Sequence, residues 1–145
     1  MINKSNLIGS WSLVSWKTVY DDGRIIFPMG DDAKGYLIYS SDGFMSASLF
    51  TSNRPHFVSG EMLTADDDEK VIAWDSYFSY SGKFIIEKNK VHHHVLSSMY
   101  PNWVGDRQTR IVVIADEKLI LETMPQKTKK GTQRSIVEWV KTKID

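Results

Sequence analysis

The sequence contains no cysteine among its 145 residues. This absence excludes a disulfide framework, a thiolate nucleophile and the zinc sites that use cysteine ligands. An excess of one charge is also missing, because 18 lysines and arginines balance 18 aspartates and glutamates. Without a net charge the chain has no long-range attraction to nucleic acid or to an anionic membrane surface, and we predict neither as a partner.

Long apolar runs and cofactor motifs are absent as well. No stretch reaches the length of a membrane-spanning helix, and residues 1–11 lack the apolar segment of a signal peptide. The sequence therefore predicts a cytoplasmic protein. It also lacks a glycine-rich phosphate loop, a dinucleotide-binding fingerprint, a Gly-x-Ser-x-Gly nucleophile motif and a His-Glu-x-x-His metal motif. We accordingly predict no cofactor.

The residues that are present fit a single domain over residues 1–145. Hydrophobic residues make up 41% of the chain, enough for a core at this length. Short runs of alternating apolar and polar residues are separated by turn residues, which is typical of an all-β protein. We predict strands at residues 9–20, 24–27, 34–40, 44–50, 83–88, 91–100, 107–115, 118–124 and 133–141. Because closure removes exposed edges, this series favours a closed antiparallel barrel of eight to ten strands.

One helix is predicted at about residues 65–78. Thr64 precedes it as a candidate N-cap, and the acids at 66–69 complement the positive end of the helix dipole. Apolar residues at helical spacing then predict that this helix is amphipathic. They are Val71, Trp74, Tyr77 and Phe78.

The predicted interior leaves room for a ligand. In the strand at 44–50, Met45, Ala47 and Leu49 alternate with polar residues and face the same side. A small alanine between two larger side chains leaves space in a barrel core. The pattern therefore favours a cavity over a filled interior.

Three consecutive histidines lie in the strand at 91–100. Strand geometry places His92 and His94 on one face and His93 on the other, and the apolar residues of the same parity make His93 the inward one. Three roles remain open for this run. The histidines could be hydrogen-bonded structural residues, or His93 could contact a ligand or act as a general base, or a pair could bind a metal. Because no carboxylate is spaced to complete a metal site, we predict no metal.

Gln108 and Arg110 share a face with Val112 and Ile114. If that face is inward, a guanidinium lies inside the barrel and needs a partner. Arg110 could instead lie at the rim and pair with Glu122 or another acid. The functional alternative is that Arg110 anchors a carboxylate or carbonyl of an otherwise apolar ligand.

The order of several motifs resembles the bacterial and fungal lipocalin-like domain family, over residues 7–140. The resemblance rests on motifs that occur in the same order, which are Gly9-Ser10-Trp11, Gly35-Tyr36-Leu37-Ile38-Tyr39, Asp42-Gly43-Phe44-Met45, Arg54-Pro55, Tyr80-Ser81-Gly82, His93-His94-Val95 and Pro101-Asn102-Trp103-Val104-Gly105 with Gln108 and Arg110. It implies a closed calycin-type barrel with a helix over one end. The matched positions are candidate ligand-binding residues, namely Tyr36, Met45, Tyr80, His93, Trp103, Gln108 and Arg110.

The sequence therefore predicts binding of a small, mostly apolar molecule inside the barrel, by a carrier or a sensor. One alternative is an isomerase, cyclase or hydratase in which His93 and Arg110 perform acid–base and oxyanion chemistry. A second alternative is a structural or protein-interaction barrel with a filled core. The identity of the ligand and the oligomeric state stay open.

Overall fold

The structure is a computed structural model that describes residues 1–143, so the last two residues of the predicted domain lie outside the described range. Ten antiparallel strands form one sheet. They are β1 (Gly9–Tyr20), β2 (Ile25–Ile26), β3 (Lys34–Tyr39), β4 (Phe44–Phe50), β5 (Tyr77–Glu87), β6 (Lys90–Ser98), β7 (Arg107–Ala115), β8 (Lys118–Thr123), β9 (Gln126–Thr128) and β10 (Gly131–Lys141).

Eight of these strands close into a barrel. The hydrogen-bonded order is β1-β3-β4-β5-β6-β7-β8-β10, and β10 pairs with β1 to complete the circle. The short strands β2 and β9 extend outward from β1 and β10. The predicted closed all-β barrel is therefore confirmed, with eight strands in the wall and two outside it.

Alternation along each strand builds the core. In β3, Gly35, Leu37 and Tyr39 are buried, whereas the residues between them are exposed. The buried set of β4 is Met45, Ala47 and Leu49, as the parity of that strand predicts. Neighbouring strands present their buried residues to the same interior, so the core is continuous around the barrel.

A short helix, α1 (Lys4–Leu7), closes one end of the barrel. Asn3 caps it: its side-chain oxygen accepts from the backbone N–H of Ser5, and its own backbone N–H donates to the side-chain oxygen of Asn6 as in a capping box. Leu7 is fully buried against the core, and the indole nitrogen of Trp11 donates to the Leu7 carbonyl oxygen at 2.8 Å. The end cover that the resemblance implies is thus present, but it comes from the N-terminus.

The helix predicted at 65–78 is shorter than expected. Helix α2 (Asp67–Asp75) begins after Asp66 and has no side-chain cap, so the expected cap by Thr64 is wrong. None of its residues is buried, and Trp74 is 52% exposed. Tyr77 and Phe78 belong to β5, which begins six residues before the predicted strand. Their spacing from Val71 and Trp74 imitates a helix, but pairing with β4 holds them in the sheet. Within residues 1–143 neither helix is long and apolar enough to cross a membrane.

A bulge between β5 and β6 lies beside the predicted histidine strand. The register shifts between Ser81 and Gly82, and the backbone of β6 approaches closely there. A Cβ atom at Gly82 would overlap the carbonyl oxygen of His94. Glycine is therefore required at this position by close backbone contact rather than by a positive φ.

Candidate ligand-binding site

The interior of the barrel contains a cavity of about 180 Å³. It lies away from the end that α1 covers and extends to the exposed side chain of Gln126 at the start of β9. All eight strands of the barrel wall contribute to its lining, together with Trp103 from the connection between β6 and β7. The apolar lining residues are Trp16, Leu37, Ala47, Leu49, Phe78, Trp103, Leu121, Val137 and Trp139, and the polar ones are Tyr80, His93, Gln108, Arg110, Thr123, Gln126 and Ser135.

His93 lies in the wall of the cavity and has both ring nitrogens engaged. The Tyr39 hydroxyl lies 2.7 Å from Nε2, and the Tyr80 hydroxyl lies 2.8 Å from Nδ1. Strand register explains this arrangement, because β6 pairs with β5 and the parity of β3 turns Tyr39 inward. His93 and Tyr39 are each 1% exposed, so water does not compete for these hydrogen bonds.

The three rings are held in their neutral forms. Burial, followed by the positive charge of Arg110, lowers the pKa of His93 to about 3. Burial also raises the pKa of Tyr39 well above its usual value and raises that of Tyr80, and Arg110 opposes both shifts. The network therefore consists of an uncharged imidazole between two phenols at neutral pH.

Arg110 brings a positive charge to the cavity, and no acid within residues 1–143 pairs with it. Within the described residues its guanidinium donates to the backbone carbonyl of Thr109, at 3.0 Å, and to no other group. Glu122, considered above as a partner, instead accepts from Arg134 at 3.0 Å. The reason is parity, since Glu122 lies opposite Ile111 on the outer face, whereas Arg110 turns inward.

Aromatic rings form one wall of the cavity. Trp103 packs edge-on against Phe78 and Tyr80, with ring centroids 5.1 and 5.3 Å apart. Gln108 lies opposite His93 in the register of β6 and β7 and adds an amide to the lining. The cavity thus combines flat apolar surfaces with a few polar groups, the composition of sites that bind small molecules.

Of the seven ligand-binding candidates, five line the cavity: Tyr80, His93, Trp103, Gln108 and Arg110. The other two lie elsewhere. Tyr36 is 54% exposed on the outer face of β3, where its ring packs near that of Phe50, because its neighbours Gly35 and Leu37 take the inward positions. Met45 is buried in the core but lies outside the cavity lining.

Three important residues were not among the candidates. Tyr39 shares its parity with Leu37, so alternation alone indicates that it is inward, but its bond to His93 depends on distant strands. Trp16 and Trp139 come from β1 and β10, whose pairing closes the barrel. The Nε1 atom of Trp139 is buried and has no hydrogen-bond partner within the described residues.

The two other histidines of the run face away from the cavity, as strand parity predicts. His92 is buried on the outer side, where Nδ1 lies 2.8 Å from the Thr109 hydroxyl and Nε2 lies 3.5 Å from the Glu87 carboxylate. His94 is exposed. Across residues 1–143 no group of three or more His, Cys, Asp or Glu side chains is arranged to hold a metal ion.

A closed eight-stranded antiparallel barrel with an internal cavity is the architecture of a calycin-type protein. The sequence profile described as the lipocalin-like domain matches residues 8–142, and the chain belongs to this family. The resemblance seen in the sequence is therefore confirmed.

One curated relative and two solved structures are similar to this chain. The 4'-hydroxy-3'-methoxypropiophenone carrier protein ppsC of Aspergillus oryzae is 34% identical over 106 residues, which cover 67% of this chain and 96% of the relative. A lipocalin-like protein from Bacteroides uniformis is 14% identical, with a TM-score of 0.49 and coverage of 94% of this chain and 99% of its own. An uncharacterized protein from Bacteroides eggerthii is 15% identical, with a TM-score of 0.44 and coverage of 91% and 98%.

Proposed function

We propose that this protein is a carrier that binds a small aromatic molecule with a hydrogen-bond acceptor. The broader function predicted from the sequence, small-molecule binding in a lipocalin-like barrel, is confirmed by the family and by the relationship to a carrier protein. The observation that carries the finer proposal is a largely apolar cavity with a guanidinium, that of Arg110, that has no acidic partner in the described part of the chain. The filled core considered as an alternative does not agree with a cavity of about 180 Å³.

The size and walls of the cavity favour a single aromatic ring. An apolar cavity of about 150 Å³ in another protein is large enough for benzene. The cavity here is slightly larger and extends to an exposed residue, so a ring can lie inside while a substituent reaches the opening. Three tryptophans and one phenylalanine supply flat surfaces for stacking or edge contacts.

The charge of the cavity favours a ligand that carries a hydrogen-bond acceptor over a ligand that carries a protonated amine. Arg110 provides a positive charge, and among residues 1–143 no aspartate or glutamate belongs to the lining. An ammonium group would meet a like charge at low dielectric, whereas a carbonyl or carboxylate oxygen would gain a charge-assisted hydrogen bond. The relative at 34% identity is named for an aryl ketone, which is a ligand of this chemistry. We therefore propose aryl ketones with oxygen substituents as the ligand class.

Two features of His93 give less support to the enzymatic alternative. A general base needs a free nitrogen and a pKa near the working pH. Both nitrogens of His93 are engaged by tyrosines, and burial lowers its pKa to about 3. The geometry suits a residue that orients its neighbours. The cytoplasmic location stays a prediction.

The proposal is tested by titrating the protein with 4'-hydroxy-3'-methoxypropiophenone and following tryptophan fluorescence, with calorimetry as a second measurement. Three of the five tryptophans line the cavity, so binding should change the emission. We expect a dissociation constant on the order of 1–100 μM for a ligand of this size. An analogue in which a primary amine replaces the ketone should bind at least about tenfold more weakly, a difference of about 1.4 kcal/mol.

A matched pair of variants locates the site. Ala47→Leu places a larger side chain inside the cavity and should weaken binding by about tenfold or more, whereas Ser46→Leu adds the same side chain on the exposed face of β4. Arg110→Met should remove the preference for the ketone over the amine. Equal binding to Ala47→Leu and Ser46→Leu would place the ligand elsewhere, and no binding of the ketone to the wild type would reject the proposed ligand class.

A further inference from the structure

Tyr39, His93 and Tyr80 form a chain of two hydrogen bonds, and the donors and acceptors of this chain can be arranged in only two orders. A neutral imidazole has one N–H donor and one acceptor nitrogen. Because each nitrogen faces a phenol, one tyrosine donates to the ring and the other accepts from it. The tyrosine that accepts keeps its own hydroxyl hydrogen free for another partner.

The surroundings of the two phenols decide between these directions. Tyr39 is 1% exposed, does not line the cavity and has no hydrogen-bond partner except His93 in the described part of the chain. If Tyr39 accepted from His93, its hydroxyl hydrogen would be buried without an acceptor, at a cost of about 1–3 kcal/mol. Tyr80 lines the cavity, where a ligand can accept its hydrogen. The favoured order is therefore Tyr39 to Nε2, and Nδ1–H to Tyr80.

We propose that this order makes the Tyr80 hydroxyl a donor toward the ligand and a determinant of specificity for a hydrogen-bond acceptor. His93 acts as a positioning residue in the Nδ1–H tautomer, and Tyr39 fixes that tautomer from outside the cavity. The inference rests on the proposed function for the ligand, but the tautomer is a property of the protein alone.

A second unsatisfied donor in the same lining supports this assignment. The Trp139 indole nitrogen is buried and has no hydrogen-bond partner in the part of the chain that the structure describes, and Trp139 is 2% exposed. Buried donors without partners are rare in native proteins and often belong to sites that a ligand or water completes. Arg110 also has no acidic partner within residues 1–143, so three lining residues carry donors that a carbonyl oxygen complements.

The first experiment measures the tautomer in the protein without ligand. Long-range ¹H–¹⁵N correlation of the histidine ring shows which nitrogen of His93 carries the hydrogen. We expect Nδ1–H. Observation of Nε2–H would overturn the proposal whatever the protein binds.

The second experiment compares 4'-hydroxy-3'-methoxypropiophenone with the analogue in which a methylene replaces its ketone. In the wild type the ketone should bind more tightly. Tyr80→Phe should weaken ketone binding by about tenfold, the equivalent of one hydrogen bond, and leave the methylene analogue within about twofold. Tyr77→Phe is the matched control, because its hydroxyl contacts Ser48 and it does not line the cavity.

Each outcome has a distinct meaning. Equal weakening of both compounds by Tyr80→Phe, or an unchanged preference for the ketone, would overturn the role of Tyr80 while the proposed carrier function stands. If neither compound binds to the wild type, the proposed ligand class fails, and the measured tautomer alone decides whether the network has the stated direction.

Discussion

Lowering the pH from 8 to 5 is expected to destabilise the fold through His93. Its pKa falls from 6.5 in the unfolded chain to about 3 in the folded protein, so only the unfolded chain gains a proton between these values. The contribution of His93 to the free energy of unfolding is therefore fully present above pH 6.5 and decreases as the pH falls toward 3. A pH of 5 lies about 1.5 units below the pKa of the imidazole in the unfolded chain, which corresponds to a loss of about 2 kcal/mol in the free energy of unfolding.

The assay is urea unfolding followed by tryptophan fluorescence at both pH values. The groups that face His93 are Tyr39 from β3, Tyr80 from β5 and Arg110 from β7, and the phenols stay neutral over this range. Between pH 8 and 5 the free energy of unfolding of His93→Gln should therefore decrease by about 2 kcal/mol less than that of the wild type. His94→Gln, on the exposed side of the same strand, should show the same decrease in the free energy of unfolding as the wild type. An equal loss in wild type and His93→Gln, or titration of the His93 ring between pH 8 and 5 in NMR spectra, would refute the reasoning.

Two further predictions concern the closed end and the bulge. Leu7→Ala removes a fully buried side chain from α1 and should lower the free energy of unfolding by about 2–5 kcal/mol, whereas Val58→Ala at a 93% exposed position should change it by less than about 0.5 kcal/mol. Equal effects in chemical denaturation would show that α1 does not close the barrel. Gly82→Ala should cost more than about 2 kcal/mol because its Cβ overlaps the backbone of His94, while Ser81→Ala beside it should be nearly neutral. A stable Gly82→Ala protein would contradict the close contact of β5 and β6.

The strands were predictable where local signals agree. The bounds predicted for residues 9–20, 44–50 and 107–115 are those of β1, β4 and β7. Turn residues delimit these runs. The start of β5 was not predictable, because Tyr77 and Phe78 continue a helical spacing of apolar residues and only pairing with β4 places them in the sheet.

Alternation along a strand indicates on which face a site residue lies, but it does not indicate which residues that side chain contacts. Parity predicted that His93 is inward and left open whether Arg110 lies inside or at the rim, and both residues line the cavity. Their partners depend on the register of strands that are far apart in the sequence. The bond between Tyr39 and His93 spans 54 positions, and Glu122 on the outer face pairs with Arg134 rather than with Arg110. Neither contact has a signal in the local sequence.

Because α1 covers one end of the barrel, the two ends of the cavity are not equivalent. A ligand of the proposed kind would enter and leave at the end near Gln126, because α1 covers the other end. The part of the ligand that lies deepest is then shielded from solvent, while the part nearest Gln126 stays within reach of another protein. A barrel closed at a single end therefore protects one side of the molecule that it carries and presents the other.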